Sequence, residues 1–391
     1  MDEETLLLNP GPVVLDERIQ QALARPMISH RSKAFEAVYD DVRDGFRYVY
    51  TNSRTDGSTS TWDGEIVLMN ATATLGMDAG IANFVGEGDS VLACINGNFG
   101  VRFAQIAERH ASVDRYEIPW GESFDVDALA EQIREGEYDL VTMVHTETST
   151  GLLNPIQEVG PVVEETDALF VVDGVSSIGG ERIHPEEWSI DVSVVDAQKA
   201  VAASPGVCAV FLSQKAIDRL DEDQTYFYAD LHRHLQRAER SQTPFTSAVT
   251  LFYGLQEALK IIQETGMDAW LDHHEHYAEA WRRASRAMGL ELFAQPAGPS
   301  DFANTVTAMY LPDEVRADPE PFFATLREQN VFVGGGHQHL SGEIFRLGSM
   351  GSLEPADLDA GLVAIGNAFD QYEELDLDIE AAREALANVV A

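Results

Sequence analysis

Between about residues 60 and 213, short runs of apolar and β-branched residues alternate with segments of helical pattern. The runs predict strands over 66–69, 91–95, 140–144, 169–172, 192–195 and 207–212. The segments between them predict helices, including about 74–84 and 99–110. Strands that alternate with helices are typical of an α/β fold in which helices cover both faces of a mostly parallel sheet.

A second α/β pattern follows a long helical stretch over about 244–288. It predicts strands over 305–310, 331–333 and 344–347 and a terminal helix from about residue 355. The polar, turn-rich segment 51–64 predicts a surface loop. We therefore predict an N-terminal extension over 1–14, a large domain over 15–264 and a smaller C-terminal α/β domain over 265–391.

The chain carries 66 acidic and 26 basic residues among 391, which gives a formal net charge of −40. Such a surface repels phosphate backbones and argues against nucleic acid as a partner. The acids are dispersed, and only four residues are lysines. This composition resembles that of proteins from salt-loving microbes, where salt screens self-repulsion, and a merely acidic protein is the alternative.

No stretch reaches the roughly 18 consecutive apolar residues that a membrane span needs. The acidic start, MDEE, lacks the basic and apolar regions of a secretory signal. We therefore expect a soluble, cytoplasmic protein with no membrane partner. Cys94 and Cys208 both lie in apolar runs, which predicts buried free thiols and neither a disulfide framework nor a metal site.

Ligands of open parallel sheets bind in the crevice at the carboxyl ends of the strands. The residues that directly follow the predicted strands therefore share one crevice: Thr72, Thr74, Phe99, Thr148, Asp173, Gln198 and Lys199. This set combines an amine, a carboxylate, hydroxyl groups and an aromatic ring, which indicates a functional site.

Lys199 and Asp173 are the candidates for chemistry. Burial lowers the pKa of a lysine, and the neutral amine can form a Schiff base with an aldehyde cofactor. A carboxylate at a buried strand end needs a partner, and a protonated pyridine nitrogen that makes the ring an electron sink would be one. The alternatives are an ordinary surface lysine and an aspartate that caps a helix or turn.

The remaining candidates are binding residues. The segment 70–74 joins a strand to a helix, where backbone N–H groups and threonine hydroxyls can hold a phosphate, although threonine also caps helices without any ligand. The absence of G-x-G-x-x-G there argues against a nicotinamide cofactor. Phe99 is predicted either to stack on a planar ligand or to pack in the core. Arg346, within an apolar strand, needs an anion, either a substrate carboxylate or an internal salt bridge.

Taken together, these motifs resemble the class V, fold-type I pyridoxal-phosphate aminotransferases, in particular the alanine–glyoxylate / serine–pyruvate aminotransferase group. The resemblance covers nearly the whole chain in order. The matching segments are LLNPGP (7–12), SHRS (29–32), GNFGVR (97–102), HTETSTG (145–151), VDGVSS (172–177), QKA (198–200), SPG (204–206), 243–249 and FRLG (345–348).

The resemblance implies a role for each matching residue. Lys199 would carry the cofactor as an imine and move the α-proton, Asp173 would pair with the pyridine nitrogen, and Phe99 would stack on the ring. The resemblance further implies that Thr148 lies near the cofactor's phenolic oxygen. The implied phosphate-binding residues are Thr72, Ala73, Thr74 and Gln198. Thr246 would reach the phosphate of the neighbouring subunit in a homodimer. Arg346 would bind the α-carboxylate of the substrate, and Gly11 would also contact the substrate.

Two departures from the family pattern affect the phosphate contacts. The phosphate loop usually carries glycines where this chain has Ala71 and Ala73, which could restrict the approach of the backbone. A tyrosine sometimes found near Thr243, as a second contact from the partner subunit, is missing.

The implied activity is ping-pong transfer of an amino group from alanine, serine or a similar amino acid to a 2-oxo acid such as glyoxylate or pyruvate. A dicarboxylate donor such as aspartate would need a second basic group, for which Arg31, Arg102 and His30 are candidates. A cysteine desulfurase would need a mobile cysteine in the C-terminal half, and none follows Cys208. A non-catalytic binding protein on the same fold is the remaining alternative.

Overall fold

The computed structural model describes residues 5–52, 62–222, 226–373, 375 and 377–390, so most of the predicted surface loop lies outside the described residues. The strands in the described part are β1 (Leu6–Leu7), β2 (Glu65–Met69), β3 (Ser90–Ile95), β4 (Ser112–Glu117), β5 (Leu140–Val144), β6 (Thr146–Glu147), β7 (Leu152–Leu153), β8 (Leu169–Asp173), β9 (Val192–Asp196), β10 (Cys208–Leu212), β11 (Asp301–Phe302), β12 (Val306–Tyr310), β13 (Val331–Phe332), β14 (Gly334–Gly335) and β15 (Ile344–Gly348).

The α-helices among the described residues are α1 (Glu17–Leu23), α2 (Lys33–Thr51), α3 (Ala73–Ala82), α4 (Asn98–Ala107), α5 (Val126–Glu135), α6 (Ile156–Glu164), α7 (Gln214–Asp218), α8 (Leu231–Ala238), α9 (Val249–Thr265), α10 (Met267–Ala287), α11 (Asp313–Ala317), α12 (Glu320–Glu328), α13 (Pro355–Phe369) and α14 (Ile379–Val390). Two 3₁₀ turns cover Lys199–Val201 and Gln338–Leu340.

A seven-stranded sheet with the strand order β2-β10-β9-β8-β5-β3-β4 forms the centre of the molecule. The pairs among β9, β8, β5, β3 and β4 are parallel, whereas β10 runs antiparallel to both β2 and β9. The α/β architecture with a mostly parallel sheet is therefore confirmed, with β10 reversed. A buried run of apolar residues predicts a strand but not its direction.

The predicted strands fall within one residue of the observed ones, whereas the predicted helix over 99–110 ends at Ala107 and the predicted helical stretch over 244–288 begins only at Val249. No strand was predicted at β4, because most of its side chains are exposed at the sheet edge. The predicted terminal helix is in fact two helices, α13 and α14. Cys94 and Cys208 are buried free thiols, as predicted.

A second hydrophobic cluster lies in the C-terminal part of the chain, between residues 277 and 386, and includes Leu8 from the N-terminal segment. Its sheet has the order β12-β15-β14 with antiparallel pairs, and β1 pairs in parallel with β13. The N-terminal segment is thus attached to the C-terminal part, while the predicted domain boundaries stay a prediction. Among the described residues, no helix has the length and hydropathy needed to cross a membrane.

Close packing of α3 on the central sheet sets the position of one edge of the crevice. A Cβ atom on Gly76 would lie 2.6 Å from Cγ1 of Val194, so only glycine lets the helix come this near to β9. Because α3 begins directly after β2, this packing fixes its N-terminus at the carboxyl edge of the sheet.

Candidate active site

Lys199 lies at the carboxyl edge of the sheet, three residues after β9, and its side chain is buried. Burial lowers the pKa of its amine to about 8, with Asp173 opposing this effect and Arg346 reinforcing it. The backbone at Lys199 has φ = +71° and at Ala202 φ = +62°. Left-handed conformations cost energy for residues other than glycine and concentrate at functional sites.

A hydroxyl chain leads away from the lysine amine. Lys199 Nζ donates to Ser176 Oγ at 3.0 Å, and Ser176 Oγ lies 2.5 Å from Thr148 Oγ1. An ammonium group can only donate, so Ser176 accepts from Lys199 and can pass its own hydrogen to Thr148. Thr148 was predicted as a site residue, whereas Ser176 was quoted only as part of the VDGVSS motif.

Asp173 is the last residue of β8, and its carboxylate is buried. Its Oδ1 accepts the Val175 N–H at 2.9 Å, so the turn contact considered from sequence is present. Burial raises its pKa to about 6, and Glu147 adds to this effect. Among the described residues it forms no ion pair, so the turn contact leaves its charge unpaired.

Phe99 is held by a buried carboxylate that the sequence did not single out. Glu147, fully buried after β5, accepts the N–H groups of Phe99 and Gly100 at 3.1 Å each, at the N-terminus of α4. A Cβ on Gly97 would lie 2.3 Å from Glu147 Cδ, so this glycine makes room for the carboxylate. The Phe99 ring is thereby fixed with its centroid 5.8 Å from Lys199 Nζ.

Asp196 accepts hydrogen bonds from two of the predicted phosphate-binding residues. Its Oδ2 accepts the Ala73 N–H at 2.9 Å and Gln198 Nε2 at 3.0 Å. Thr72 is the N-cap residue of α3, but its hydroxyl makes no capping hydrogen bond. Thr74 Oγ1 accepts from Arg102 Nη1 at 3.3 Å. Asp196 was not predicted, because a carboxylate is not expected beside an anion site.

Arg346, on β15, has a buried guanidinium that contacts only neutral groups. Its nitrogens donate to the carbonyl oxygens of Gly335 and Thr148 at 2.7–2.9 Å, and Nη2 lies 3.1 Å from His337 Nε2. Burial lowers its pKa to about 10. No carboxylate pairs with it among the described residues, so the internal salt bridge considered from sequence is not found there.

A cavity of about 560 Å³ opens beside Arg346. Its wall includes Phe99 and His337 together with Asn9, Pro10 and Pro12 of the N-terminal segment. Gly11 lies between the two prolines, and its N–H donates to Asn9 O at 2.8 Å. The predicted substrate residues Arg346 and Gly11 therefore belong to one neighbourhood.

Two of the basic residues proposed for a second carboxylate have different surroundings. Arg31 donates to the carbonyls of Thr243 and Pro244, so it organises that loop. The Arg102 guanidinium lies 4.7 Å from the Phe99 ring centroid and has no ion pair among the described residues. Thr246 is exposed, and its carbonyl accepts Asn70 Nδ2 at 2.9 Å.

The model of the aminotransferase class-V family matches residues 16–349, a span that contains Lys199, Asp173 and Arg346. The chain belongs to the class-V aminotransferases. Its cofactor is accordingly pyridoxal 5′-phosphate, and it is an enzyme, a pyridoxal-phosphate-dependent transaminase.

Relatives of this class-V aminotransferase match along nearly their whole length. An uncharacterized aminotransferase of Methanocaldococcus jannaschii is 34% identical over 389 residues, 97% of each chain. The L-aspartate–glyoxylate aminotransferase of Paracoccus denitrificans is 30% identical, covering 93% of this chain and 90% of its own. The crystal structure of pyridoxamine–pyruvate aminotransferase from Mesorhizobium loti superposes with a TM-score of 0.90 at 26% identity, over 100% of this chain and 98% of the other.

Proposed function

We propose that this aminotransferase moves the amino group of a small amino acid, such as alanine or serine, to a 2-oxo acid such as glyoxylate or pyruvate by a ping-pong mechanism. The observation that supports this proposal most strongly is that Thr148 connects Arg346 with Lys199. Its carbonyl accepts from Arg346, and its hydroxyl contacts Ser176, which accepts from Lys199. A carboxylate-binding group and a low-pKa amine are thus held in one rigid arrangement.

The residues at the sheet edge fit pyridoxal phosphate. The buried Asp173 carboxylate has no ion pair among the described residues and suits a protonated ring nitrogen, and the fixed Phe99 ring suits a planar ligand. The exposed hydroxyls of Thr72 and Thr74 at the start of α3, with Gln198, would hold the phosphate. When bound, the cofactor supplies an aldehyde carbon for amines and an electron-withdrawing ring.

Each residue then has a defined task. Arg346 holds the carboxylate of the amino acid and so orients its α-carbon. Lys199 takes the proton from that carbon as a neutral amine and delivers it at the other end of the transfer. Asp173 keeps a proton on the ring nitrogen, and the Ser176–Thr148 pair orients the amine of Lys199. A 2-oxo acid then enters, and the same residues act in reverse.

Relatives suggest the substrates. Their names describe alanine–, serine–, (S)-ureidoglycine– and L-aspartate–glyoxylate aminotransferases. Glyoxylate is the shared acceptor, which supports it as the acceptor here. A dicarboxylate donor is the second candidate, because Arg102 lies beside Phe99 and has no ion pair among the described residues, so it could receive a second carboxylate.

The desulfurase alternative has little support. A desulfurase cysteine must be a mobile nucleophile, whereas Cys94 and Cys208 are both buried within strands. Burial raises the pKa of both thiols, which keeps them protonated and unreactive.

A homodimer is part of the proposal. Thr246 is exposed beside Asn70, near the predicted phosphate loop, and the nearby Phe227 is 69% exposed. Phe227 contacts Phe245 with ring centroids 5.5 Å apart, and contiguous exposed apolar patches are typical of contact surfaces. Sedimentation of the loaded enzyme gives the oligomeric state, and a monomer that keeps full activity would contradict this part.

The substrate proposal is tested by measuring transfer from alanine, serine, glycine, aspartate and glutamate to glyoxylate, pyruvate and 2-oxoglutarate. We expect a small monocarboxylic donor with glyoxylate or pyruvate to give the highest kcat/KM. Preference for aspartate that falls in Arg102→Gln, with alanine transfer unchanged, would favour the second candidate.

A further inference from the structure

Arg346 has few hydrogen-bond donors left for a ligand. A guanidinium carries five N–H donors. Nε donates to Gly335 O, Nη2 donates to Gly335 O and faces His337 Nε2, and Nη1 donates to Thr148 O. Among the described residues, four donors thus have acceptors, and only one on Nη1 is left.

The contact with Arg346 fixes the state of His337. Because a guanidinium can only donate, His337 Nε2 must accept, and the ring hydrogen of neutral His337 must be on Nδ1. Burial and the nearby cations Arg346, Arg102 and Lys199 lower the pKa of His337 to about 4. The ring is therefore neutral near pH 7.

A carboxylate that pairs with Arg346 through two hydrogen bonds needs a second donor. The carbonyl acceptors belong to the backbone of β14 and of the segment after β6, which cannot turn away. The His337 side chain can, because its ring is only half-buried and borders the cavity. The His337 contact is therefore the one that a ligand replaces.

We propose that the substrate carboxylate displaces His337 from Arg346, and that His337 then donates its Nε2–H to the same carboxylate as a second binding residue. We infer that His337 takes up this proton from solvent and becomes an imidazolium with hydrogens on both Nδ1 and Nε2, while no substrate bond breaks. The carboxylate offsets the charge of Arg346 that disfavoured protonation of the ring. This inference rests on the proposed function, since it concerns the same carboxylate.

The loop that carries His337 is held beside the cavity, so the ring stays near Arg346 after it is displaced. Gln338 Nε2 donates to Asn98 Oδ1 at 2.8 Å, which ties the loop to the start of α4. The His337 and Phe99 rings are nearly perpendicular, with an interplanar angle of 86° and centroids 6.0 Å apart. His339, in the same loop, is exposed, and its ring centroid lies 4.5 Å from that of Trp120. It therefore provides a matched control.

The test is calorimetric titration of the cofactor-loaded enzyme with propionate, a monocarboxylate that has no amino or oxo group. In His337→Phe, which removes both ring nitrogens, we expect the Kd to rise about tenfold, as for a lost charge-assisted hydrogen bond. In His337→Gln, whose amide can accept from Arg346 and donate to a carboxylate, we expect a near wild-type Kd. His339→Phe should bind as the wild type does.

Proton uptake distinguishes this role from a structural one. Titrations in buffers of different ionisation enthalpy should show that the wild type takes up more protons per propionate than His337→Gln does, and that its affinity rises as the pH falls from about 8 to about 6. The other charged groups around the ring, Arg346, Arg102 and Lys199, are the same in both proteins, so the difference isolates His337.

Two results would overturn the inference. One is His337→Phe binding propionate as tightly as the wild type with its cofactor absorbance intact, and the other is equal proton uptake in the wild type and His337→Gln. If propionate binding depends on His337 but no amino donor is used, the proposed function fails and the inference stands. If transfer proceeds and His337→Phe binds propionate normally, only the inference fails.

Discussion

The two ends of the candidate site differ in how their polar groups are satisfied. At the start of α3, the Ala73 N–H and the Gln198 amide already donate to Asp196, and Thr72 and Thr74 are exposed. Around Arg346, the cation is buried and meets only neutral acceptors.

This difference indicates which of the two ligand groups, carboxylate or phosphate, one chain can bind without a partner subunit. The Arg346 end has a charge with no ion pair among the described residues, so we expect one chain to suffice to bind a carboxylate there. At the α3 end, two donors are engaged by a carboxylate of the same chain, and the two threonines are exposed. We therefore expect it to need a rearrangement around Asp196 or a contact from a partner subunit before it binds a phosphate tightly.

Lys199 lies between the two ends, and its loss should have the largest effect. In Lys199→Ala, we expect transfer to fall by about 10³-fold or more, because the proton at the α-carbon loses its base. Single-turnover measurements with loaded enzyme check this, and added small primary amines should restore part of the rate. Lys260→Ala, at an exposed lysine, is the control.

The Arg346→Gln variant should affect substrate binding at the Arg346 end without affecting cofactor binding at the α3 end. We expect KM for amino acid and oxo acid to rise about 100-fold, the cost of losing a buried charge partner, with little change in the Kd of pyridoxal phosphate. Steady-state kinetics and cofactor titration check this. A weakened cofactor with an unchanged KM would mean that Arg346 belongs to the other end.

The pH dependence of cofactor attachment should follow the amine of Lys199. Its pKa of about 8, against an ordinary 10.5, leaves about one tenth of the amine neutral at pH 7 instead of about one in three thousand. Since the neutral form reacts, the attachment rate to the cofactor-free enzyme should rise with pH and level off above about pH 8. A rate still rising tenfold per pH unit above pH 9 would contradict the lowered pKa.

Asp196→Asn should give the smallest effect, confined to the α3 end. Removing a negative charge near the phosphate should tighten pyridoxal phosphate by a few-fold, because like charges repel, and leave pyridoxal unchanged. Comparing the two Kd values checks this. An equal change for both ligands would mean that Asp196 does not act on the phosphate.

Much of this arrangement could be predicted from the sequence. Asp173 ends a strand, Thr148 directly follows one, and Lys199 and Phe99 come three and four residues after one. Parallel strands bring such residues to one edge of the sheet. The family is confirmed, and the roles of these residues stay predictions. The direction of β10 could not be predicted, because an apolar run buried on both faces carries no signal of direction.

The site residues that the sequence analysis did not predict were missed for a physical reason. Glu147, Ser176 and Asp196 contact groups that are distant in the sequence, namely the N-terminus of α4, Lys199 and Ala73. His337 contacts Arg346 only nine residues away, but this contact depends on how β14 pairs with β15. A buried carboxylate that accepts backbone N–H groups leaves no spacing pattern in a sequence. Only the folded geometry brings these partners together.

The central claim is that the buried amine of Lys199 carries the cofactor. Borohydride reduction of the loaded enzyme, followed by peptide mass spectrometry, tests it most directly. We predict a reduced pyridoxyl group on Lys199 and none on Lys33, Lys215 or Lys260. A reduced group on any of those three lysines, or none at all, would contradict the account.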